Sequence, residues 1–249
     1  MERKYTAKFF KKSMPDWKKK KDPFIHQIIF RPLSFHLSAF CANRGISANT
    51  VSYLSIIPAA LTVICFFTKA HWAYILGGVL LNLWCFLDCV DGNIARSVRK
   101  QPFGAFADAC SSYLLIALIY VGIGYACYCD GGFLFEKGNS FILVLTGIAT
   151  GLDSFMRFVY YKYKETVKCL GLDEVMEKEE HTPNIKERLG EATGIGGYQP
   201  LFILLASIFY FLDVVVLFVL LLHSVMCIYI VTTSIRNAIR ITREIESND

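Results

Sequence analysis

The sequence predicts an all-α polytopic membrane protein, with six transmembrane helices preceded by an amphipathic helix lying at the membrane interface. Three observations lead there. Hydrophobic residues make up 54% of the 249, and mean hydropathy is +0.42. That is more apolar surface than a soluble domain usefully buries. Several apolar runs approach the roughly 20 residues that a helix needs to cross about 30 Å of hydrocarbon. Charge is also sorted between the two sides of the chain's links, as the positive-inside rule describes for cytoplasmic segments.

The elements follow in order. Met1 to Lys21 holds nine Lys or Arg and no apolar core of the length a secretory signal requires. Residues 1–22 therefore read as a basic, solvated cytoplasmic tail, and the block Lys18 to Lys21 adds attraction to anionic headgroups, about 1 kcal/mol per cation. Residues 23–45 form the interfacial element. Around them DPFIHQIIFRPLSFHLSAFCANR places apolar residues at helical spacing, with a break expected at Pro32. Charged and His residues interrupt it too often for a span.

Residues 46–245 hold the membrane domain. The first span starts near Asn49, and the second is AYILGGVLLNLWCFL, ending at Asp88. The third runs from about Phe103 to Cys127, and the fourth from Ser140 to about Tyr160. A polar segment from Lys162 to Tyr198 follows, placed to shape an acceptor side. Pro200 to Thr233 is nearly all apolar and too long for one span, so a turn near Asp213 divides it into two. Of 26 Lys and Arg, only Lys69 and Lys137 fall in the links on one side. Both termini and the Asp88–Asp108 stretch are then cytoplasmic, in a cell (inner) membrane protein. The nine cysteines are an odd number and show no zinc-ligand spacing with the five histidines. They read as structural.

The stretch DCVDGNIARSVRKQPFGAFADACSSY, Asp88 to Tyr113, joins two apolar runs. Carboxylates at the edge of hydrocarbon are costly and mark function. Asp88 and Asp91 share a helix face. Asp88 stands at the C-terminal end of its apolar run, where the helix dipole disfavours an anion. Gly92 and Gly104 allow close backbone approach. Two helix ends that bring Asp88, Asp91 and Asp108 together would repel strongly unless a cation intervened. All-oxygen ligands select a hard ion, Mg²⁺ or Mn²⁺.

These residues resemble the signature of the CDP-alcohol phosphotransferase family, Asp-x-x-Asp-Gly-x-x-Ala-Arg, a link, Gly-x-x-x-Asp-x-x-x-Asp. Asp88, Asp91, Gly92, Ala95, Arg96, Gly104 and Asp108 match it. The link from Arg96 to Gly104 is one residue shorter than the family's, and Ser112 stands where the last Asp is expected. GISANTVSYLSI similarly resembles the family's Pro-Asn-x-x-Thr opening of the first span, with Ala48 and Ser52 at the flanking positions.

The resemblance implies a transferase of phospholipid or related lipid and glycan biosynthesis. A CDP-alcohol donor would lose CMP as its phosphoryl-alcohol group passes to an acceptor alcohol. It implies a metal held by Asp88, Asp91 and Asp108, and a CMP portion bordered by Gly92, Ala95 and Arg96, with Asn49 and Gly104 alongside. It also implies membrane lipids as surroundings, a homodimer, and no nucleic-acid partner. In the family the last Asp is a metal ligand and the base for the acceptor hydroxyl. A serine cannot take that proton at neutral pH, so Asp153 is the candidate to take its place as base, with Asp108 and Ser112 completing the catalytic set. Asp153 lies one turn before Arg157 in the fourth span, where the family places an Arg that meets acceptor or phosphate. Asp213 reads as turn chemistry only. Binding of a CDP-alcohol without turnover is the alternative. A channel or transporter is disfavoured, since most spans lack polar residues and no inverted repeat is visible.

Overall fold

The computed structural model describes residues 4–172 and 193–247, and every regular element among them is helical. The middle of the Lys162–Tyr198 segment, with its expected acceptor-side role, lies outside the described residues.

The basic N-terminal segment is not a free tail. It forms α1 (Ala7–Ser13) and α2 (Asp16–Lys21). Thr6 caps α1, its hydroxyl accepting from the Phe9 backbone N–H at 3.1 Å. Phe10 is 1% exposed and packs with Phe35, Val51, Val90 and Ile94. Asn43 completes the docking by accepting from the Tyr5 N–H and donating to its carbonyl. Lys8, Lys11 and Lys12 stay exposed.

The expected break at Pro32 does not occur. A π-helical turn, His26–Phe30, runs directly into α3 (Arg31–Asn43), with Pro32 in the first turn of α3. The Arg31 N–H reaches back to the His26 carbonyl. This wider turn accommodates a ring that would otherwise collide with a carbonyl four residues back. Phe24, Ile28, Ile29, Leu33 and Phe40 point outward, while Ser34, Phe35, Ser38 and Ala39 face α5. α3 and the turn before it thus pack Phe35 and small or polar residues against the protein and leave a row of large apolar side chains exposed.

Among the described residues, five helices are long and apolar enough to cross a membrane: α4 (Ala48–Phe66), α5 (His71–Ser97), α6 (Gly104–Asp130), α7 (Phe141–Cys169) and α9 (Leu212–Glu246). The sixth apolar helix, α8 (Gln199–Phe209), has 11 residues, about 16 Å at 1.5 Å per residue, half a span. α4 packs on α5 and α6, α7 on α6 and α9, and α8 on α5. A Cβ on Gly78 would come within 2.8 Å of the Leu204 Cα, so its absence sets the α5–α8 crossing. Phe66, Leu81, Ile119, Ile123, Ile142, Ile203 and Val215 fill the core. Leu61, Ile64, Val144, Ile148, Leu221 and Val225 form part of the exposed apolar exterior.

α5 does not end at Asp88 but continues to Ser97. Asp88 therefore sits in the body of a helix, and the terminal-dipole argument does not apply to it. α7 likewise runs past Tyr160 to Cys169.

At the end opposite the signature, the chain reverses between α8 and α9 at Tyr210, whose φ is 62°. His71 stacks on Tyr210 at 3.8 Å. Asp213 is fully buried there, and its carboxylate accepts from the Leu134 and Phe135 N–H groups and from its own helix at Val214. It is more than a turn residue, because it fastens the α6–α7 link to the start of α9. The other end of α8 lies at mid-depth. Asn82 donates to the Pro200 carbonyl at 2.8 Å, and Tyr120 to Gln199 Oε1 at 2.6 Å.

Candidate active site

Two helix segments meet at the signature end, the last turns of α5 and the first turns of α6. Asp91 is 7% exposed. Its carboxylate accepts from the Ser52 hydroxyl at 2.6 Å, a charge-assisted bond that fixes its direction. Ser52 is the position matching the family's Thr, and its role was not legible before the fold was seen. Asn49, one turn earlier on α4, donates to the Pro102 carbonyl at 2.8 Å and stands beside Gly104 at 3.6 Å from where a Cβ would be. It holds the α5–α6 link and the start of α6. Phe103 begins that helix in the left-handed region, φ 58°.

Asp88 and Asp108 approach within hydrogen-bonding range of each other, and both act on Asp91 through space. Two carboxylates keep that separation only with a proton or a cation between them. Among the described residues, no Lys, Arg or His forms an ion pair with any of the three. No group of three His, Cys, Asp or Glu stands in a ligand cluster among them either. The donor chemistry nonetheless fits a hard divalent cation: carboxylate oxygens from two helices, with Arg31 and Arg96 acting on Asp88 only from beyond ion-pair distance.

Arg96 folds back over Gly92. A Cβ there would lie 2.8 Å from the guanidinium, so the glycine makes the room. Ala95 is half-buried beside the α1–α3 cluster. Ser112 turns onto its own helix, its hydroxyl donating to the Asp108 carbonyl at 3.0 Å. Ser111 beside it bonds the same carbonyl and accepts from the Trp84 indole at 3.3 Å, tying α6 to α5.

A second polar group lies deeper. Asp153 is 1% exposed, and both its oxygens accept from Arg157 Nε, at 3.1 and 3.2 Å. His223 on α9 bonds the Ala149 carbonyl through Nδ1 at 2.9 Å, which turns Nε2 toward Asp153 at 3.9 Å. Tyr120 packs edge-on against His223. Arg157 also acts electrostatically on Tyr113, which pairs with Tyr161 and neighbours Asp108. Tyr113 thus lies within electrostatic reach of both Asp108 and the Asp153-bound Arg157. His223 and Gln199 were not among the sequence candidates, since neither has a local pattern pointing to α7.

A family model described as CDP-alcohol phosphatidyltransferase matches residues 46–235. A phosphatidylinositol phosphate synthase of Streptomyces avermitilis is 30% identical to this chain over 96 residues, 38% of each protein. The aligned part thus spans little more than a third of that relative's length.

Proposed function

The chain belongs to the CDP-alcohol phosphatidyltransferase family, and from that premise we propose an integral-membrane transferase. It moves a phosphoryl-alcohol group from a CDP-alcohol donor to an acceptor alcohol and releases CMP. The observation that carries the reading is the Asp88–Asp108 approach beside a buried, Ser52-oriented Asp91.

The acceptor oxygen attacks the phosphorus that bears the donor alcohol, and the bond from that phosphorus to the CMP oxygen breaks. Little covalent work falls to the protein, and positioning and charge neutralisation dominate. Asp88, Asp91 and Asp108 would hold Mg²⁺ or Mn²⁺, which when bound neutralises the diphosphate. Asn49 and Gly104 keep α6 in register, and Gly92 leaves room for the Arg96 guanidinium on the nucleotide's border. Arg96 faces its phosphate. Arg157 faces the acceptor. Asp108 is exposed and takes the acceptor proton. Asp153 is buried with both oxygens on Arg157, so it orients that arginine instead.

The engagement of Ser112 with its own helix favours a second reading, binding of CDP-alcohol without turnover. CMP release by purified protein with Mn²⁺ and a panel of CDP-alcohols and acceptors separates the two. Release dependent on both substrates supports the transferase. Nucleotide binding without release supports the second reading.

A further inference from the structure

This inference rests on the transferase reading and deepens it. The polar side of the N-terminal arm meets α5 most closely at Asn93, an unspecified position within the signature stretch. Arg31 is 5% exposed. Its Nε and Nη2 donate to the two Asp22 oxygens at 2.7 and 3.1 Å, and its Nη1 to Asn93 Oδ1 at 3.0 Å and to the Cys89 carbonyl at 3.4 Å. The Asn93 amide then donates to the Ser34 and Ser38 hydroxyls at 3.0 and 3.3 Å. Both ends of that amide are engaged by the arm.

A buried ion pair is a poor source of net stability, because desolvation offsets its attraction. Its best-attested use is to fix register. The two-pronged Arg–carboxylate contact fixes the plane of the guanidinium. Burial resists ionisation of Asp22, but the bonds and charge of Arg31, with Lys18 nearby, outweigh it and hold the carboxyl below its ordinary range. The π turn immediately before Arg31 has the same direction of meaning, since such turns concentrate at functional sites. Asn93 stands between Asp91 and Arg96 on α5.

We propose that Arg31 is a positioning residue for the transfer reaction: held by Asp22, it clamps Asn93 and sets the rotation of the signature helix. The arm then carries the signature on one side and rests Phe24, Ile28 and Leu33 in lipid on the other.

The test uses the full chain in one detergent, with Arg31→Lys, Asn93→Ala, and His36→Ala as a control on the exposed side of α3. CMP-release kinetics are read per folded protein, together with hydrogen exchange across residues 88–96. The clamp predicts that Arg31→Lys and Asn93→Ala each lower kcat roughly tenfold or more, with donor KM within about twofold, and that exchange rises locally in 88–96. His36→Ala leaves both unchanged. A merely structural role would lower yield or melting temperature while leaving kcat per folded molecule intact, and that result overturns the proposal. Should Arg31→Lys fail to fold, Asn93→Ala decides alone, because it leaves the ion pair in place. Should the wild type release no CMP, the transferase reading falls. Exchange then decides the clamp by itself: a local rise upholds it, and an unchanged pattern overturns it.

Discussion

Ser52 and Asp91 make the clearest case at the scale of single residues. A hydroxyl donating to a buried carboxylate contributes about 1.5–3 kcal/mol. Ser52→Ala should therefore lower kcat by roughly 10- to 100-fold, while Ser52→Thr keeps the donor and most of the activity, both measured by CMP release. Asp108→Asn should cost at least about 100-fold. Asp153→Asn should cost less than Asp108→Asn and more than Asp213→Asn, which lies at the far end of the bundle. Equal losses at Asp153 and Asp213 would remove the Arg157 assignment. The signature aspartates were legible because their spacing is local to one helix face and one short link. Ser52 was visible only as a position in a resemblance. Its bond to Asp91 spans two helices, and no local spacing encodes that.

Elements were legible where a long apolar period runs uninterrupted, as in α4 and α6. They were misread where polarity and helix part company. α5 and α7 carry their charged turns out of the hydrocarbon without ending, because backbone hydrogen bonding continues once the apolar run stops. The N-terminal segment was read as a tail because its lysines hide one informative residue, Phe10. The arm that it supports should be acid-sensitive. Burial holds His26 below its ordinary value, with Asp22 and Asp88 pulling the other way and Arg31 and Lys18 adding to the fall. As pH drops through about 6.5, the unfolded chain takes a proton that the folded one refuses, so stability declines. The depressed Asp22 carboxyl adds a second decline below about 3.9, where the unfolded group protonates first. Thermal unfolding between pH 7.5 and pH 5 should show the first stage, and His26→Asn should flatten it. Asp213 belongs to this scale as well. Removing its carboxylate in Asp213→Ala orphans the Leu134 and Phe135 N–H groups and should cost about 1–3 kcal/mol, read as a lower melting temperature with kcat retained.

For the whole molecule, the charge bias predicts one orientation. A cysteine placed at Asn139 should react with an impermeant maleimide from outside intact cells, and one at Ser247 only after permeabilisation, in a background without accessible thiols such as Cys169. The reversed pattern would invert the topology. What the sequence could not reveal is that the six apolar stretches are unequal. α8 and its turn read as a full span by composition, yet the helix begins at mid-depth, where Gln199 meets Tyr120. The far half of the bundle is therefore a solid stopper of Phe66, Ile123, Ile142, Ile203 and Val215 beneath a polar half that holds the aspartates and Arg157. On the proposed reading, a phosphate-bearing reactant would be received at the polar half while the stopper stays shut, so that turnover would open no ion leak across the bilayer.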